Sequence, residues 1–324
     1  MANKPVLLIG LGGTGSSIVR NVYSEVPEDE KKKVVVHVFD TDVNDAEKIL
    51  KVQDRTIIST DLTVEKCLLK DYMRDSNVEK WFPVEYPTVM KTKFSDGAGQ
   101  IRSISRLAYM DAIATGKLKE LEKKLQVFSQ LDGSNENDDV RVMIVSSLAG
   151  GTGSGIFLQV ALYIKDYFES RGKSVKIRGS FLLPDIFVKT GCLSGSKINN
   201  TYANGYASLK ELNAILKSIV GNRNEDNINI QLSYKPGMID EKVSLLPYDI
   251  IFLYDYENTD GKHLANFEHY INQISKSLYL QLFSDIAGSV ESDEINMQIS
   301  IVEKDGCARY ASAGVSTLKR YFRI

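Results

Sequence analysis

Short apolar runs alternate with amphipathic stretches through the first two thirds of the chain. Val6-Leu-Leu-Ile-Gly10 is a buried-strand pattern ending in glycines, and a helical pattern follows from Ser16 to Val26. Val34-Val-Val-His-Val-Phe-Asp40 predicts a second strand, entered from a solvated lysine run at Lys31 to Lys33 and ending in an acid. Thr56 to Ser59 predicts a third, ahead of a mixed helical region. Pro83, Pro87, Gly97 and Gly99 punctuate 83–100 as loop, while 101–131 is helical and charge-rich. After an acidic turn at 132–139, a strand is expected at Val140 to Ser146, a helix at 156–169 and a strand at 175–184. This alternation specifies an α/β fold, a mostly parallel sheet with helices on both faces.

The rhythm changes near residue 197. A long helix at 198–220 precedes an Asn-rich loop at 221–227. Strands are then expected at 228–234 and 249–254, a helix at 263–287, and strands at 295–303 and 308–315. Three parts result: a large α/β domain at 1–197, a connecting long helix at 198–220, and a smaller second α+β domain at 221–324.

Composition narrows the function classes. The chain has 324 residues, 43% hydrophobic and 25% charged, the balance of a soluble globular protein with a sizeable core. A net charge of -2 argues against a general electrostatic grip on nucleic acid or anionic membrane. Cys67, Cys192 and Cys307 form no CxxC pair, and three histidines leave little for a zinc site or a His-based triad. An odd number of scattered cysteines fits a reducing, cytoplasmic compartment. No apolar run approaches the roughly 20 residues of a membrane span. The strand pattern so close to Met1 leaves no room for a secretory leader.

Candidate chemistry lies in the glycines between strands and helices. Gly10-Leu-Gly12-Gly13-Thr14-Gly15 joins the first strand to the first helix, where close backbone amides and a helix N-terminus favour an anion. Its spacing is also that of a dinucleotide-binding turn, with Asp40 placed for a ribose hydroxyl. A plain ligand-free turn is the third reading. No lysine follows the glycines, so it is not a Walker P-loop. The second loop, Ala149-Gly150-Gly151-Thr152-Gly153-Ser154-Gly155, also follows a buried strand and opens a helix. A nicotinamide enzyme needs one pyrophosphate loop, whereas two cradles suit a chain of three phosphates.

This second loop resembles the signature loop of the tubulin/FtsZ superfamily, whose pattern is GGTGSG or GGGTGSG. Three further segments are similar in order along the chain. Gly12, Gly13 and Thr14 match the family's first nucleotide loop, and Asp40-Thr41-Asp42 the acidic loop near the terminal phosphate and metal. Asp96-Gly97-Ala98-Gly99-Gln100 matches its third phosphate loop. Asp40 and Asp42 also suit an ordinary capping turn, and Gly97 and Gly99 a plain loop. The strand near Pro247 to Asp255 resembles the divergent prokaryotic tubulin-like proteins more than tubulin or FtsZ.

The resemblance implies a GTP-binding domain at 1–197, with GTP or GDP as ligand and Mg2+ held with help from Asp42. Gly150, Gly151, Thr152, Gly153 and Ser154 are then expected at the phosphates. Guanine offers N–H donors, so a side-chain oxygen from the start of the long helix should read it. Asn204 is the expected reader, Tyr202 or Tyr206 could stack on the base, and Asn199 or Asn200 would cap the helix. In this superfamily an acid after the long helix reaches the next subunit's nucleotide, and Glu225 and Asp226 are the candidates here. The implied function is head-to-tail self-assembly with slow, contact-dependent GTP hydrolysis. A non-hydrolysing switch or scaffold is the first alternative, because 221–227 departs from the FtsZ pattern. An NAD-dependent oxidoreductase is the second.

Overall fold

In the first strand every residue of Val6–Leu11 is buried, which only the interior of a sheet covered on both faces allows. The computed structural model describes residues 5–42, 54–74, 78–130, 140–220, 230–238, 242–305 and 310–312. The strands are β1 (Val6–Leu11), β2 (Val34–Asp40), β3 (Arg55–Ile57), β4 (Val140–Ser147), β5 (Val175–Leu182), β6 (Ile250–Tyr254) and β7 (Tyr310–Ser312). Among the described residues they form one sheet, ordered β3-β2-β1-β4-β5-β6-β7. Every pairing is parallel.

Successive side chains on a strand point to opposite faces, so β1 feeds two cores. Leu7, Ile9 and Leu11 join one cluster, and Val6 and Leu8 the other. The first core is covered by α2 (Arg102–Ala114), α3 (Lys119–Leu125), α4 (Thr152–Glu169) and the C-terminal half of α6 (Lys197–Val220). The second is covered by α1 (Gly12–Glu25), α5 (Pro184–Lys189) and α7 (Phe267–Phe283), with α8 (Ala287–Asp305) following. Helix α4 is buried around most of its circumference, as befits a helix enclosed by others.

His37 on β2 is fully buried, with Nε2 2.7 Å from the Thr56 hydroxyl on β3. Burial first, and the Lys124 charge second, lower its pKa to about 3, so it is neutral in the fold.

The boundary expected at residue 198 falls at the start of α6, but the strands beyond it belong to the common sheet. β6 pairs with β5 and β7 with β6, so among the described residues 221–324 forms no sheet of its own. Ile250, Ile251 and Phe252 are buried against both cores, and α5 and α6 form the crossover returning the chain beside β5. The strand expected at 295–303 is part of helix α8. Its apolar alternation imitates a strand, yet no Gly or Pro interrupts 289–305 to end the helix. At 230–234 the chain makes only an isolated bridge, Gln231 to Lys242. The turn at 132–139 lies outside the described residues.

Candidate functional site

Strands β1 and β4 lie side by side with Leu11 opposite Ser146, so they end together. The chain leaves β1 into α1 on one face of the sheet and β4 into α4 on the other. A crevice opens at such a switch point, beyond the carboxyl ends of the strands. The two glycine-rich junctions therefore meet. A Cβ placed on Gly12, whose φ is +68°, would lie 3.4 Å from the Thr152 Cβ.

Side-chain hydrogen bonds shape the loops around this crevice. The Ser147 hydroxyl accepts from Ala149 N at 3.0 Å, and Ser154 Oγ donates to the Gly150 carbonyl. Asp40 Oδ1 accepts from Thr41 N at 2.7 Å and Asp42 N at 3.1 Å, the capping turn among its expected roles. Thr41 and Thr152 join their hydroxyls at 2.7 Å, and Thr152 Oγ1 also lies 3.5 Å from Asp40 Oδ1.

The third loop rests on the second. Ile101 N donates to the Ala98 carbonyl at 2.7 Å around Gly99 and Gln100, both with positive φ (54° and 63°). Two such residues in succession give a type I′ turn. Gln100 is the only non-glycine with positive φ among the described residues, a strained backbone held from outside. Asn204 Nδ2 holds it by donating to the Gln100 carbonyl at 2.9 Å. A Cβ on Gly151 would stand 2.8 Å from the Ala98 Cβ and 3.0 Å from Gln100 Cα. Gly151 is thus a packing position between two loops, whereas a Cβ on Gly150 would meet nothing within 4 Å among the described residues.

An open cleft of about 390 Å³ results. It is lined by Gly12, Gly13 and Thr14 of the first loop, Asp40 and Asp42 of the acidic turn, Gly97, Ala98 and Gly99 of the third loop, and Gly150, Gly151, Thr152 and Gly153 of the second. Four expected residues do not line it. Ser154 is buried beneath the loop, and Asn204 is 6% exposed with its amide on the Gln100, Ala149 and Gly150 carbonyls. Tyr202 is 42% exposed and donates its hydroxyl to Asp185 Oδ1 at 2.9 Å. Tyr206 is 68% exposed beneath the Lys210 ammonium. Glu225 and Asp226 lie outside the described residues.

The cleft also holds Thr41, Asp96 and Gln100, which lie in segments matched to nucleotide loops without a role of their own, and Ser147, Leu193 and Lys197, which sequence reasoning missed. Asp96 and Gln100 bound the segment singled out for its glycines, and Thr41 sits between two singled-out acids. Lys197 and Leu193 carried no motif, because only the docking of the start of α6 on the glycine-rich loops brings this part of the chain near. The lining thus combines many backbone amides, the carboxylates of Asp40, Asp42 and Asp96, and the Lys197 ammonium.

Such a set suits a polyanion carried with a divalent cation. Asp42 and Asp96 are joined by an antiparallel bridge at the cleft. Among the described residues no group of three His, Cys, Asp or Glu gathers to hold a metal unaided. Magnesium requires less, since it keeps water and takes phosphate oxygens beside one or two carboxylates. Asp42 fits that need.

Comparison with known proteins bears on the fold. CetZ from Methanosaeta thermophila strain DSM 6194 superposes with a TM-score of 0.50 at 13% identity, over 95% of this chain and 61% of that one. CetZ2 from Haloferax volcanii, a GTPγS-bound protofilament, gives 0.45 at 14% identity, over 89% and 62%. A GTPγS-form protofilament of TubZ from Bacillus thuringiensis serovar israelensis gives 0.43 at 14%, over 86% and 56%. The chain therefore spans about three fifths of the length of these structures. No curated protein matches it. No described helix is long and apolar enough to cross a membrane. A family model described as tubulin-like matches residues 7–320, nearly the whole chain, and the chain belongs to that family.

Proposed function

We propose that this chain binds GTP or GDP in the cleft between β1 and β4, assembles head to tail with copies of itself, and hydrolyses GTP slowly at the contact. One observation carries the nucleotide reading: both glycine-rich junctions, on adjacent strands, line a single cleft with the Asp96–Gln100 loop. Backbone amides there would hold the phosphates without moving, which is electrostatic stabilisation and not covalent chemistry. Asp42 would hold a magnesium ion, which would offset the negative charge of the phosphates. Lys197 would add a mobile positive charge at the rim. Asn204 spends its amide N–H on loop carbonyls, which leaves its oxygen as the end that could accept from guanine. Tyr202 would serve at the margin of the base site. Membership of the tubulin-like family supports self-assembly and a cytoplasmic setting.

The hydrolytic step is assigned to Glu225 or Asp226, reaching the nucleotide of the adjoining subunit. The non-hydrolysing switch remains the second reading, favoured by the departure of 221–227 from the FtsZ pattern. The dinucleotide alternative gives the second glycine loop no role.

Equilibrium titration with GTP, GDP, ATP and NAD tests the ligand. Tight, selective GTP and GDP binding is expected, and selective NAD binding with GTP ignored would end this reading. Light scattering and phosphate release are expected to rise together with GTP, and Glu225→Ala with Asp226→Ala should suppress release. GTP binding with neither assembly nor turnover would hand the function to the switch.

A further inference from the structure

Helix α6 carries Thr201, Asn204 and Glu211 at i, i+3 and i+10, which places them on one face. All three are tied to the loops that line the cleft or to Arg102, two residues beyond the third loop. Gln100 Nε2 donates to Thr201 Oγ1 at 3.4 Å, and Asn204 donates to three loop carbonyls. Glu211 receives two parallel bonds from Arg102 at the start of α2, Nη1 to Oε1 at 2.8 Å and Nη2 to Oε2 at 2.7 Å. The same Nη2 donates to the Ser154 carbonyl at 2.8 Å, in the first turn of α4.

We infer that Arg102 is a positioning residue for the second glycine-rich loop, fixing the Ser154 carbonyl to α6 through its forked pair with Glu211. A bidentate carboxylate sets the plane of a guanidinium, so the remaining Nη2 proton points in one direction. That direction is the turn whose preceding residues line the cleft. Backbone packing removes slack from the same junction, since a Cβ on Gly155 would come 2.4 Å from the Arg102 carbonyl oxygen. The side chains of the pair are 19% and 44% exposed, so neither charge is deeply buried. Arg102 acts on the ligand only through the loop.

This inference rests on the phosphate-cradle reading and makes a prediction that charge alone does not. Glu211→Ala removes a negative charge near the site, so simple electrostatics would tighten triphosphate binding. Positioning requires the opposite, because the freed guanidinium no longer holds the loop. The experiment measures Kd for GTP, guanosine and inorganic tripolyphosphate, well below the unfolding temperature, with wild type, Arg102→Ala, Glu211→Ala and Glu211→Gln. About tenfold weaker GTP and tripolyphosphate binding is expected for both alanine variants, with guanosine unchanged. Glu211→Gln, whose amide oxygen still accepts from the fork, is expected to recover most of the loss. Unchanged or tighter GTP binding by Glu211→Ala overturns the inference, as does an equal loss for guanosine. Should Arg102→Ala fail to fold, Glu211→Ala carries the test from its half-exposed position. A wild type that ignores GTP yet binds tripolyphosphate better than Glu211→Ala removes the guanine reading and keeps the positioning role. Binding of neither overturns both.

Discussion

The hydroxyls of Thr41 and Thr152 meet at 2.7 Å, bridging the turn after β2 and the helix after β4 across the end of β1. This contact joins two walls of the cleft that are far apart in sequence. Thr152→Val keeps the shape and deletes the hydrogen bond, leaving Thr41 to find another partner. A loss of about 1 kcal/mol in denaturant-measured stability is expected. GTP affinity should fall with it, and a variant with unaltered affinity would show that this bridge does not shape the site.

Gly150 and Gly151 are adjacent, yet their alanine variants should separate. Among the described residues a Cβ at Gly150 meets nothing within 4 Å, so Gly150→Ala is expected to melt like wild type and to bind GTP at least tenfold more weakly. A Cβ at Gly151 strikes Ala98 and the Gln100 backbone, an overpacking that costs about 1–3 kcal/mol. Calorimetry beside ligand titration reads both effects, and identical behaviour of the two would contradict the loop packing.

Among the described residues Lys197 is the one ammonium lining the cleft, and it lies exposed at the start of α6. Lys197→Ala should weaken GTP more than guanosine, by about threefold to tenfold at low salt. The difference should shrink as ionic strength rises. A salt-independent loss would assign the lysine stem, not its charge.

The buried His37 predicts an acid sensitivity with a defined window. Its folded pKa near 3 lies below the unfolded value of 6.5, so below pH 6.5 the unfolded chain takes a proton that the fold refuses. Stability should therefore drop as pH falls from 6.5 towards 3, approaching about 1.4 kcal/mol per pH unit from this group. Urea titrations of wild type and His37→Gln between pH 7 and 5 test it. The variant should start lower, having lost the Thr56 contact, and show a flatter slope. Parallel slopes would exclude His37 as the cause.

Much of this architecture is legible in the sequence because parallel strands and phosphate-type loops leave local marks. The fully buried runs at Val6–Leu11 and Val140–Ser147 can hardly be anything but interior strands. The glycines after them mark the junctions that meet in space. What local pattern does not encode is which strands become neighbours, so β6 and β7 read as a separate unit when they extend the first sheet. The 295–303 segment misleads for a related reason: Ile295 and Ile299 are exposed on α8 while Glu294 beside them is buried, so the apolar alternation does not mark the buried positions. Within the site, glycines and acids are visible because their chemistry is unusual in those places. Lys197 and Arg102 are ordinary charged residues until the approach of α6 gives them a partner or a cavity.

The adjacency of β1 and β4 bears on how the molecule is made. β1 is synthesised first, but its partner in the cleft wall arrives only after residues 12–139 have been laid down. Pairings so distant along the chain form slowly, since the intervening polymer must be organised before the contact rewards it. A nascent chain halted before residue 140 therefore owns the first glycine-rich turn but no pocket. Ligand capture by ribosome-bound intermediates of increasing length would date the moment when the two halves of the crevice close.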